Sequence, residues 1–209
     1  MAFRSIALLF VLLAPLTASA QSLYTEGQHY RLVDPVQPTD VASGKVEVVE
    51  IFSYACVHCA HFEPFIAAWK KSMPANVQFR ALPAVFSPAW EPYARAYFAA
   101  ESLKALDKLH EPLFKALHTD RKSIASIEAI ADFAATQGID RAQFLQIANS
   151  SSTSLKVNRA REQAMRYGLK GTPSLVVNGK YLVESSAGGF QAMIDVVNFL
   201  VDKETTAAK

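Results

Sequence analysis

Two cysteines stand at positions 56 and 59, in the stretch "CVHC", and the chain of 209 residues holds no others. Such a pair can be half of a zinc site, a structural cross-link, or a disulfide that works by being broken. Zinc requires four ligands in a tetrahedron, so two of the five histidines would have to join the cysteines. His58 and His61 are nearest, and His58, held between the cysteines, is badly placed for that geometry. A structural disulfide stabilises mainly by closing a loop in the unfolded chain, and a loop this short gains little. Redox exchange accounts for more of the sequence: Cys56 would attack as a thiolate, and Cys59, one helical turn on, would resolve the mixed disulfide. A free thiol has a pKa of about 8.5, one unit of lowering is about 1.4 kcal/mol, and a helix N-terminus supplies about 0.3–1 and at most ~2 kcal/mol. The helix alone therefore gives about one unit. The remainder must come from hydrogen bonds to the sulfur or a positive partner, and His58 is the titratable side chain inside the loop.

The elements that would position the pair are legible around it. Residues 45–54, "KVEVVEIFSY", alternate at first and then become continuously apolar and β-branched, the pattern of a strand covered on both faces, with Glu50 out of place within it. From Cys56 the spacing turns helical: Phe62, Phe65, Ile66 and Trp69 form one apolar stripe. The cysteines thus sit where a strand hands over to a helix. Residues 76–86 read as a second strand, and one intervening helix makes the two strands a parallel pair with a right-handed crossover.

From about residue 87 to Gly168 only helical patterns recur, such as Leu106, Leu109, Leu113 and Leu117. Asp140 followed by Gln143 resembles a capping box, and Gly168 is placed to end a helix. Residues 174–183, "SLVVNGKYLV", are two strands joined by Asn178-Gly179, a strong hairpin signal. A last helix turns Phe190, Met193, Ile194, Val197 and Val201 inward, and a short strand or extended arm precedes Pro35 and Pro38. Directly before the hairpin stands "GTPS", residues 171–174, where a proline belongs at the first residue of a strand or at a bulge. If Thr172-Pro173 is cis, that turn can approach the cysteines and present the Thr172 backbone to a peptide.

Composition narrows the class. The chain is 51% apolar and 19% charged, enough to bury a core, and its net charge of +2 is spread without blocks, which gives no support to nucleic-acid binding. Residues 1–20 read as a secretory signal: Arg4, an apolar run over 6–16, and Ala18-Ser19-Ala20 as the cleavage site. That run is shorter than the roughly 20 residues of a membrane span. Export would place the cysteines where disulfides persist.

Three stretches, "EIFSYACVHCAHFEP" (50–64), "GTPSLVVNGKYLV" (171–183) and the helical block between them, resemble the DsbA family of the thioredoxin superfamily. The resemblance covers essentially all of the chain after the signal. It implies an α/β thioredoxin fold with a central mixed sheet, formed by 21–87 and 169–209, and an inserted all-helical domain over 88–168. It also implies a periplasmic, monomeric oxidase that donates its Cys56–Cys59 disulfide to newly exported proteins. Reoxidation would come from a DsbB-type, quinone-linked inner-membrane partner, with no metal or cofactor beyond the disulfide.

Residue by residue, the resemblance makes Cys56 the nucleophile, Cys59 the resolving thiol, His58 the histidine that stabilises the thiolate, and Pro173 the cis-proline beside the substrate-binding Thr172. Glu50 matches an acid that assists proton transfer at the buried cysteine. Two positions depart from the pattern. Ala81 stands where some members carry a lysine that offsets the acid, with the adjacent Arg80 pointing to the opposite face by strand alternation. Val57 stands where the best-known members carry proline, so oxidising strength does not carry over.

Other readings stay open at this point: an isomerase or reductase of the same fold, or a metal- or peptide-binding module without turnover. The aromatic run Phe86, Trp90, Tyr93, Tyr97 and Phe98 has the spacing of either core or a substrate groove.

Overall fold

The computed structural model describes residues 23–207, and the expected signal segment lies outside them. Five strands form one sheet in the order β1-β5-β4-β2-β3: β1 is Arg31–Leu32, β2 Val46–Phe52, β3 Val77–Pro83, β4 Ser174–Val177 and β5 Tyr181–Glu184. The β2–β3 pair is parallel and every other pairing antiparallel, so the sheet is mixed. All seven residues of β2 are buried, as its unbroken apolar run requires.

Helix α1, Val57–Ser72, makes the crossover from β2 to β3. Five helices fill the chain between β3 and β4: α2 Glu91–Ser102, α3 Leu106–Phe114, α4 Ile127–Thr136, α5 Arg141–Ala148 and α6 Ser151–Arg166. The final helix, α7, is Phe190–Ala207. Three of the helix starts are set by short polar side chains that accept from an orphan N–H three residues on: Ser126 from Ala129, Asp140 from Gln143, and Ser150 from Thr153. The chain leaves α6 through Gly168, at φ +65°, a conformation that glycine adopts without steric cost. After Pro112, α3 runs on into a π turn at Lys115–Thr119, where Asp120 N–H donates to Lys115 C=O.

Side-chain alternation in β2 builds two cores. Val46 and Val48 pack with Phe62, Ile66 and Trp69 of α1 and with the inner face of α7, while Val49 and Ile51 pack toward the helical block. The apolar stripe of α1 is buried except at Phe65, which is 36% exposed. The β4–β5 turn has positive φ at Asn178 (52°) and Gly179 (65°), as a two-residue hairpin of matching twist demands. A Cβ on Gly179 would collide with the Gln37 carbonyl, because the arm between β1 and β2 lies directly on that turn.

Glu47 and Glu50, three residues apart in β2, occupy opposite faces. Glu47 is fully buried and receives Arg80 Nε at 2.9 Å; Arg80 also reaches Gln163 and Tyr167 of α6 and its exit, each at 3.3 Å. Arg80 thus ties the sheet to the helical block. Removing one partner of a buried pair leaves an uncompensated charge and costs about 3–5 kcal/mol, whereas removing both is close to neutral. The outer end of Arg80 meets solvent, so Arg80→Leu is expected to cost about 2–3 kcal/mol in urea unfolding. Glu47→Leu in the Arg80→Leu background should restore most of that loss, and strictly additive losses would contradict the coupling.

Candidate active site

The handover from β2 to α1 places the cysteines as their spacing implied. Cys56 is the N-cap of α1, with extended backbone (φ −94°, ψ 114°), and its Sγ accepts from Cys59 N–H at 3.4 Å. Both cysteines are free thiols in the structure. Across from them the Thr172-Pro173 bond is cis, and Thr172 C=O lies 3.4 Å from Cys56 Sγ, so the protonated thiol can donate to it. Ser174, the first residue of β4, donates its hydroxyl to Gly171 C=O at 2.8 Å and fixes the turn that carries Thr172. Two segments far apart in sequence thus meet at one sulfur.

The environment separates the two thiols. The Cys56 pKa falls from the ordinary thiol value to about 5. A hydrogen bond from the Cys59 thiol contributes most, burial opposes it, and the Thr172 side chain and the N–H groups of Cys59 and His58 add to the lowering. Burial pushes the Cys59 thiol up, and its bond to the charged Cys56 pushes it further in the same direction. At neutral pH the pair is one thiolate and one thiol. His58 is exposed, and its side chain makes no hydrogen bond or ion pair among the described residues. The backbone N–H of His58 is among the groups that hold down the Cys56 pKa.

Glu50 is 2% exposed, and its Oε2 has no hydrogen-bond partner. Burial raises its pKa to about 8; the Glu63 carboxylate adds to the rise and Lys70 opposes it. Ala81 is its register neighbour in β3, as read from the sequence. The cation nearest in effect comes instead from α1, whose Lys70 shares a cavity of about 520 Å³ with Glu50, Glu63 and His110. Sequence reasoning missed Glu63, Lys70 and His110. Glu63 and Lys70 follow Cys59 at four and eleven residues on one helix, a face that 3.6-residue spacing makes legible. His110 lies on α3, and nothing local links it to the cysteines.

Of the aromatic run, Tyr93, Tyr97 and Phe98 are core, with Tyr93 O–H donating to Ile124 C=O at 2.9 Å. Phe86 is 47% exposed and packs its ring 5.4 Å from that of the half-buried Trp90. Because β3 runs parallel to β2, this pair sits at the same end of the sheet as Cys56.

Known proteins share this architecture. The DsbA-like thioredoxin domain family matches residues 47–194. The chain is 39% identical over 188 residues to the thiol:disulfide interchange protein DsbA of Pseudomonas aeruginosa, covering 89% of this chain and 88% of that one. It is 38% identical over 165 residues to the DsbA of Azotobacter vinelandii, covering 78% and 77%. The crystal structure of Pseudomonas aeruginosa DsbA superimposes with a TM-score of 0.84 at 38% identity, over 88% of this chain and 96% of that one. The structure of the Xylella fastidiosa oxidoreductase DsbA gives 0.83 at 33% identity, over 88% and 99%. The thioredoxin-like sheet with its inserted helices, the Cys56–Cys59 pair at the head of α1 and these matches together establish that the chain belongs to the DsbA family of thiol:disulfide oxidoreductases.

Proposed function

We propose that this chain is a periplasmic dithiol oxidase that hands its Cys56–Cys59 disulfide to reduced, newly exported proteins. The observation that carries the reading is the placement of Cys56 Sγ, at the head of α1, 3.4 Å from Cys59 N and 3.4 Å from Thr172 C=O beside cis-Pro173, with burial holding Cys59 protonated and the Cys56 pKa lowered to about 5. A stabilised thiolate lowers the free energy of the dithiol form, so the disulfide is readily given away. In the forward reaction a substrate thiolate bonds to Cys56 Sγ, the bond to Cys59 breaks with its electron pair on Cys59, and a proton reaches that sulfur. A second substrate thiolate then takes the substrate sulfur and releases Cys56 as its stable thiolate. The protein leaves with two more electrons, and the substrate with a disulfide.

In this reading Thr172, beside the sulfur in the turn with Pro173, offers its backbone to the substrate chain. Glu50 supplies the proton for Cys59, and the His58 amide helps hold the sulfur's charge. The exposed surface of Phe86, Trp90 and Val57 receives apolar substrate segments. We assign residues 21–87 and 169–209 to the thioredoxin-like part and 88–168 to the helical insertion. A DsbB-type membrane oxidase restores the disulfide, no other cofactor is used, and the protein acts as a monomer. The signal-like residues 1–20 support export; among the described residues no helix is long and apolar enough to cross a membrane.

Equilibration of the purified protein with glutathione, followed by tryptophan fluorescence, tests the direction of transfer. A strongly oxidising pair is expected; a reducing pair would assign the chain to reductase chemistry. Cys56→Ser should abolish oxidation of a reduced substrate protein, and full retained activity would refute the reading. Cys59→Ser should accumulate a mixed disulfide through Cys56, visible on a non-reducing gel.

The thiolate also has a signature in stability. Cys56 has a depressed folded pKa, so it stabilises the reduced protein above the unfolded value of about 8.5, and this contribution is lost as pH falls through about 5. Glu50 acts oppositely: its raised pKa stabilises below the ordinary carboxylate range, and that contribution is lost as pH rises through about 8. The stability of the reduced protein minus that of the oxidised cancels contributions that do not depend on redox state and leaves that of Cys56. That difference should climb by as much as about 1.4 kcal/mol per pH unit from about pH 5 to 8.5. Urea unfolding of both forms across this range measures it, and a flat difference would exclude the thiolate.

A further inference from the structure

The helical insertion delivers a histidine to the acids beneath the cysteine pair. His110 of α3 places Nε2 3.3 Å from Glu63 Oε2, at ion-pair distance, and that carboxylate oxygen is buried without any hydrogen bond. The other ring nitrogen, Nδ1, lies 2.8 Å from the Tyr54 hydroxyl. Tyr54 is fully buried, and burial above all keeps it a phenol, whose oxygen can accept from Nδ1–H. The backbone C=O of Tyr54 is 2.7 Å from His118 Nε2 in the π turn, which anchors the same residue from the other side. The Tyr54 contact leaves Nε2 as the ring nitrogen that gives or takes a proton, and it faces Glu63. Rings of Phe52, Phe114 and Tyr97 enclose the imidazole.

Glu63 lies one helical turn beyond Cys59 on the same face of α1, and both Glu63 and His110 line the cavity into which Glu50 opens. The charged groups facing His110 there are Glu63 and Lys70 from α1, Glu50 from β2, Arg80 from β3 and Glu101 from α2. Its own helix adds Asp107 and Glu111. Arg80 is engaged by Glu47, so Lys70 is the cation left to the acids of the cavity. Histidine is the side chain whose ordinary protonation change falls between about pH 5 and 8.

We propose that His110 is a positioning residue for the proton delivered to Cys59: it orients and charge-balances Glu63 and, through the shared cavity, governs the reprotonation of Glu50. The proposal rests on the reading of Glu50 as proton donor to Cys59. When the substrate thiolate bonds to Cys56 and the Cys56–Cys59 bond breaks, Glu50 gives its proton to the Cys59 thiolate and becomes a carboxylate. His110 in its protonated form releases the Nε2 proton through Glu63 and cavity water to Glu50, and solvent protonates His110 in turn. One proton enters for each thiolate neutralised, and the substrate thiols supply both electrons.

Single-turnover oxidation of a fluorogenic dithiol peptide by the full, oxidised chain tests this from pH 5 to 8, with each variant expressed as a ratio to the unaltered protein. General acid–base catalysis contributes about 10²–10⁴-fold, so His110→Gln, one link removed, is expected to lose about tenfold. The lost rate should change with pH between 5 and 8, while the thiolate absorbance of Cys56 keeps its midpoint. A merely structural role would scale the rate equally at every pH, and that result overturns the proposal. Glu50→Gln is measured beside it. If Glu50→Gln slows the reaction and His110→Gln gives a pH-independent ratio, the Glu50 reading stands and the His110 proposal falls; if Glu50→Gln matches the unaltered protein, both fall. Should His110→Gln fail to fold, NMR titration of the His110 imidazole in the unaltered protein and in Glu50→Gln decides. A displaced midpoint supports the coupling, and an identical one overturns it.

Discussion

The structure turns on the unlike surroundings of two sulfurs, Cys56 at the head of α1, accepting from Cys59 N–H, and Cys59 buried one turn further in. Neither cysteine would behave this way alone. A helix N-terminus supplies about 1 kcal/mol, a fraction of what a thiolate with a pKa near 5 requires. The balance comes from placing a second sulfur too deep to ionise where its proton can serve the first. That arrangement needs Cys59 one turn inside α1, α1 seated against the sheet, and β4 delivering Thr172 to the open side of the sulfur. Strand, helix and turn are means of holding two sulfur atoms in unlike surroundings.

Burial of acids under the site follows the same logic. β2 carries two carboxylates into the interior, and the fold treats them differently. Glu47 is neutralised outright by a guanidinium that also grips α6, which makes it part of the frame. Glu50, which like Glu47 has one oxygen without a partner, has no guanidinium beside it, only the lysine of the cavity and a neighbouring acid, so near neutral pH it can hold a proton. A buried acid without a strong partner is costly as structure, and such a group is found where a proton has to be available.

Much of this was legible in the chain. The alternation and apolar runs of β2 and β3, the Asn178-Gly179 turn and the C-x-x-C at the start of a helix are local patterns, and each specified an element within a few residues of where it lies. The meeting of Thr172 with Cys56 was approachable from the sequence because a proline at a strand entrance is itself a local signal. Arg80 was assigned to the correct face by alternation alone, although its partner Glu47 was not seen. Of the residues that escaped, Glu63 and Lys70 share a helical face with Cys59, while His110 matters through how α3 leans against the sheet edge, and no periodicity encodes that angle.

The order of strands also bears on when the protein becomes reactive. β4 lies between β2 and β5, yet it is formed from residues made after the whole helical block. During synthesis the C-x-x-C segment emerges well over a hundred residues ahead of Thr172. Until β4 inserts, the sheet lacks its middle strand and Thr172 is not beside Cys56. Such long-range pairings form late because loop closure must precede them. The contact between Thr172 and Cys56 therefore waits for the last part of the sheet, although the cysteines themselves are made early.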